Sequence, residues 1–96
     1  MLIRSQDKRM IVNFDNICTV SASPEKHSED IYVEDGTGSL MVGRYSTKAK
    51  AMKVLDMVQD AYERYEYEKV FKTGLTLFET FQMPEDGSVE VWNINA

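Results

Sequence analysis

Histidine, cysteine and proline are almost missing from this chain, and each shortage removes a class of chemistry. One cysteine, Cys18, among 96 residues leaves no intramolecular disulfide, which suits a reducing cytoplasm. The one histidine, His27, lies in a polar stretch beside Lys26 and Ser28. A single Cys with a single His cannot close a zinc site. Together they are the only material for a nucleophile–base dyad, yet Cys18 falls on an alternating strand, where a small buried hydrophobe is the usual role. Nowhere do 18 apolar residues run together, so no membrane span is expected, and residues 1–7 lack the apolar run of a signal peptide. Basic residues stop at Lys72, while Glu79, Glu85, Asp86 and Glu90 continue beyond it.

What is present reads as one small domain. Apolar residues make up 43% and charged residues 28%, a globular rather than a disordered balance. A chain of this size buries a modest fraction of its surface, which favours self-association as a source of added stability. The net charge of −5 disfavours nucleic acid or an anionic membrane as a general partner. That charge is uneven. Residues 1–53 hold eight Lys/Arg against seven Asp/Glu, and residues 54–96 hold three against nine.

The hydrophobic pattern predicts strands before one helix. Residues 2–5 begin extended, and Met10, Val12 and Phe14 alternate on one strand face. Asp15-Asn16 reads as a turn, and residues 17–22 as a third strand with Cys18, Val20 and Ala22 on one side. Residues 23–30 are a loop by composition, and Glu29-Asp30 with Glu34-Asp35 form its solvated acidic rim. Residues 31–34 and 39–45 flank Asp35-Gly36, a type I′ hairpin signal that Thr37-Gly38 lengthens toward a bulged or longer loop. Ser46 or Thr47 supplies the N-cap of a helix over about 47–70. Ala51, Val54, Leu55, Val58, Ala61, Tyr62 and Tyr65 form its single apolar stripe. Tyr67 falls outside that stripe. After Gly74, residues 75–83 and 88–94 are β-prone around the turn Pro84-Glu85-Asp86-Gly87. The expected fold is therefore α+β: an antiparallel sheet of four to five strands over residues 2–45, one long helix, and a C-terminal arm. The domain proper spans 1–72 and the arm 73–96.

Two features point to partners rather than catalysis. Arg44, Lys48, Lys50 and Lys53 crowd the positive end of the helix dipole, and Glu63, Glu66 and Glu68 its negative end, against the usual preference. Such a basic edge is either a tolerated surface cost or a place for an anion: phosphate, a nucleic-acid backbone, or an acidic protein segment. The arm is itself acidic and apolar, so it can dock near that edge, within the chain or across a dimer. Leu77, Phe78, Phe81, Met83 and Trp92 make the arm a candidate partner-binding segment. With the usual general bases and metal ligands missing, no catalytic residue, metal or cofactor is expected.

Five segments also stand out as a set: Ile3-Arg4-Ser5-Gln6-Asp7, Asn13-Phe14-Asp15-Asn16-Ile17, Gly43-Arg44-Tyr45-Ser46-Thr47-Lys48, Val54-Leu55-Asp56-Met57 and Phe81-Gln82-Met83-Pro84. In these, over most of residues 2–90, the chain resembles a family of small proteins from Gram-positive bacteria and their phages and prophages. The resemblance implies a bacterial cytoplasmic setting and carries no activity, ligand or catalytic residue with it. The sequence thus leads to a non-catalytic protein–protein interaction module, self-associating as a homodimer. The alternative is a nucleic-acid-associated regulator using the basic edge.

Overall fold

The computed structural model describes residues 1–17, 19–22, 29–71 and 80–91. In chain order these form β1 (Leu2–Arg4), β2 (Ile11–Asn13), β3 (Thr19–Ala22), β4 (Asp30–Glu34), β5 (Ser39–Arg44), α1 (Lys48–Phe71) and β6 (Thr80–Gln82). Short 3-10 turns follow β2 at Phe14–Asn16 and β6 at Asp86–Ser88. The architecture is α+β, with one long helix packed on strands.

The strands divide differently from a single sheet. They form two three-stranded sheets, ordered β2-β1-β6 and β3-β4-β5. The first is mixed: β1 runs antiparallel to β2 and parallel to β6. A tight hairpin cannot join parallel neighbours, and here β2 to β5 and α1 all lie between β1 and β6 in the chain. The division begins at Asn13, whose Oδ1 accepts a 3.0 Å hydrogen bond from Asp15 N–H and caps the 3-10 turn. That turn stands where Asp15-Asn16 suggested one, and it ends β2 before β3 can continue the same ladder. The sheets meet again where Gln6 N–H donates to the Val42 carbonyl at 2.8 Å.

Strands β4 and β5 form a hairpin closed by a four-residue loop, since Glu34 still pairs with Ser39. Asp35 shapes this loop: its Oδ1 accepts from both the N–H and the Oγ1–H of Thr37, an Asx turn, and its own N–H reaches the Gly38 carbonyl at 3.4 Å. Gly36 takes φ +95° within it. Further along, Ile31 pairs with Gly43 but Tyr32 pairs with Met41, so Val42 is an extra residue in β5. This bulge sends Val42 into the core, and its carbonyl receives Gln6.

The helix follows its apolar stripe. Thr47 is the N-cap, its Oγ1 accepting from Lys50 N–H at 3.1 Å. Ala51, Val54 and Val58 are buried, while Leu55, Ala61, Tyr62 and Tyr65 are half-buried against the same core. The helix lies nearest β3 and β4, and Tyr62 stacks on Phe14 with ring centroids 4.8 Å apart. Ile3, Ile31, Val33, Tyr45 and Met83 complete one core shared by both sheets. Each large side chain buried there contributes about 1.5–3 kcal/mol before ordering entropy is subtracted.

Candidate functional site

The segments Ser5–Asp7, Gly43–Ser46 and Gln82–Asp86 meet at one junction beside the start of α1. Gln6 holds it. Its Oε1 accepts from Arg44 N–H, and its Nε2 donates to the Arg44 carbonyl, both at 2.9 Å, so one side-chain amide mimics a neighbouring strand. The same Nε2 lies 3.3 Å from the Pro84 carbonyl. That carbonyl also accepts from Tyr45 Oη at 2.8 Å. Gln82 Nε2 donates to the Ser5 carbonyl, which ties β6 to the turn after β1.

Tyr45 is fully buried, and burial followed by the nearby Asp86 carboxylate holds its phenol well above the ordinary range. It fits because residue 43 is glycine. A Cβ there would stand 3.0 Å from the Tyr45 ring and 3.2 Å from the Met83 methyl.

Each basic residue of the helix edge has its own position. Arg44, largely exposed, forms a fork with Asp30: Nε is 3.0 Å from Oδ1 and Nη2 is 3.3 Å from Oδ2. Asp30 holds the Arg44 guanidinium above its already high ordinary value. Asp30 is buried rather than part of a solvated rim, because the β4 ladder sets it across from Arg44. A buried carboxylate needs such a partner. Lys50 Nζ lies 3.0 Å from the Asp86 carbonyl and 3.5 Å from Asp86 Oδ2. Asp86 Oδ1 accepts from Ser46 N–H at 2.6 Å. The helix has no acidic residue in its own first turn, so this carboxylate supplies the charge the dipole favours. The Ser46 amide, and then Lys50, lower the Asp86 pKa. Lys48 and Lys53 are exposed, with no ion pair among the described residues.

Of the arm residues, Met83 is fully buried and Phe81 is half-buried on the core. Leu77, Phe78 and Trp92 lie outside the described residues, as do Cys18 and His27. At the other end of α1, Lys69 stands in the last turn, 5.8 Å from the Tyr65 ring centre.

Exposed large apolar side chains stand on β2 (Ile11), on α1 (Met52, Tyr67 and Val70), at Val91 and on β5. Strand β5 is an outer strand of its sheet, and Gln6 covers only its Val42–Arg44 end. Among the described residues no backbone hydrogen bond outside the β4 ladder reaches Ser39, Leu40 or Met41. Leu40 is 48% exposed and Met41 42%. A groove of about 260 Å³ runs between this strand and the 5–10 turn, lined by Arg9, Met10, Met41 and Arg44 among others. Sequence reasoning missed this edge, because no local signal tells an outer strand from an inner one. It missed Gln6 for a similar reason: the residue stands in a polar turn and finds its partner 38 residues away.

No protein-family model matches this chain, and comparison with curated proteins and with solved structures finds no match either.

Proposed function

We propose that this chain is a non-catalytic protein-interaction module that associates with a second copy of itself. The observation that carries the reading is the uncovered half of β5, an outer strand bearing exposed Leu40 and Met41. An open, apolar edge is a template for another strand. Ser39-Leu40-Met41 holds no charge and no proline, and the bulge that bends β5 comes only after it, at Val42.

The chemistry of the junction supports the same reading. The carboxylates whose pKa is lowered are engaged in structure: Asp7 in the turn after β1, Asp35 in the hairpin loop and Asp86 at the helix start. The nucleic-acid alternative draws on a basic edge of which Arg44 and Lys50 are engaged by Asp30 and Asp86, which leaves Lys48 and Lys53 to carry it. A small self-associating protein also suits the phage or prophage setting that the sequence resemblance implies.

Sedimentation equilibrium over roughly a hundredfold concentration range tests the reading. We expect a reversible monomer–dimer equilibrium. A single monomeric mass throughout would refute it, and a salt-dependent shift of DNA or RNA at about 50 mM salt would transfer support to the alternative.

A further inference from the structure

We infer that the second copy pairs along β5 in antiparallel register about a two-fold axis at Leu40. This rests on the interaction reading above and names its surface and its partner. The uncovered stretch is short, because Gln6 occupies the strand from Val42 onward. Only Ser39, Leu40 and Met41 offer open backbone, and a symmetric pair of three-residue stretches centres on the middle residue, setting each Ser39 across from Met41 of the other copy.

Charge selects the direction. At one end of the open stretch stands Glu34, paired with Ser39 across the β4 ladder and exposed. At the other end stands Arg9, exposed and lining the same groove as Met41 together with Asp7 and with Arg44, the latter paired to Asp30. The edge therefore runs from acid to base within a few residues. Antiparallel pairing sets the acidic end of each copy against the basic end of the other, twice per dimer. Parallel pairing sets like against like, and is opposed by the same charges. In this register Leu40 packs on Leu40 of the other copy on one face, and Met41 meets Ser39 of the other copy on the opposite face.

The test is a charge exchange in the full chain. In Arg9→Glu, both Arg9–Glu34 contacts become acid against acid. In Glu34→Lys, both become base against base. Neither side chain is in the core, so both variants keep the fold, which circular dichroism checks. Each variant alone should dissociate about tenfold more readily than the parent at low salt, or further. An equimolar mixture should recover the parental affinity. In the mixed dimer one contact is the parental Arg9–Glu34 pair, and the other is an acid–base pair with its signs exchanged. A dimer indifferent to both substitutions overturns the β5 register and leaves the self-association reading standing. A monomeric parent chain overturns both. Two weakened variants that fail to associate when mixed also reject the antiparallel register.

Discussion

At the scale of single residues, three positions carry backbone or packing constraints that substitution exposes. Lys8 takes φ +65°, in the left-handed region, to close the turn in which its N–H donates to the Ser5 carbonyl. A Cβ is unfavourable there, so Lys8→Gly should stabilise the protein by about 0.5–1 kcal/mol, less the entropy glycine adds to the unfolded chain. Urea denaturation reads this directly. Gly43 is the reverse case. Its ordinary backbone permits alanine, but the added methyl meets Tyr45 and Met83, both fully buried and neither with room to retreat. Gly43→Ala should cost about 1–3 kcal/mol in the same assay. Tyr45 adds a pH signature. Its phenol pKa is raised in the folded state, so the stability it contributes is intact below about pH 10, the unfolded value, and is lost as pH rises above it. Tyr45→Phe should flatten that alkaline decline, at the cost of about 1 kcal/mol at neutral pH for the hydrogen bond to Pro84.

At the scale of elements, the start of α1 is the informative case. Lysines at a helix N-terminus oppose the dipole, and here the opposition is relieved by Asp86 from a turn 40 residues away. Its pKa is lowered in the folded state. The stability it contributes is therefore present above the ordinary carboxylate range and disappears as pH falls through the depressed value. Asp86→Asn should lower the urea midpoint at pH 7 and shrink the difference between pH 7 and pH 3. An unchanged acid limb would show that the carboxylate does not stabilise the helix start. Thr47→Ala removes a different support, the side-chain cap on Lys50 N–H, and should cost about 1 kcal/mol at every pH.

At the scale of the whole molecule, two small sheets share one core and neither has a core of its own. Met83 sits where they meet: it follows β6, its N–H donates to the Arg4 carbonyl, and its side chain lies against the position of Gly43 beneath Tyr45. Met83→Ala should cost about 2–5 kcal/mol, a large share of the total for a domain of this size. Hydrogen exchange should show β1 and β4 losing protection together rather than in turn, because the cavity opens the one core that holds both. Self-association along β5 would add stability that grows with protein concentration, a coupling that melting temperatures at two concentrations measure.

The sequence by itself determined the elements whose cause is local. The helix was legible from seven apolar side chains at the helical period, its N-cap from a hydroxyl beside the first turn, and the β4–β5 hairpin from Asp35-Gly36 between apolar runs. The acidic tail and the lysine-rich helix start were each visible as charge patterns. Only the tertiary structure decided that the strands split into two sheets, that β6 joins β1 in parallel, that Gln6 replaces a strand beside Arg44, and that Asp86 meets Ser46 and Lys50. Periodicity, capping and turn chemistry act within a few residues and leave a local imprint. Sheet partition and side-chain pairing depend on which distant backbone groups remain unsatisfied once the core has closed, and no short stretch of sequence records that.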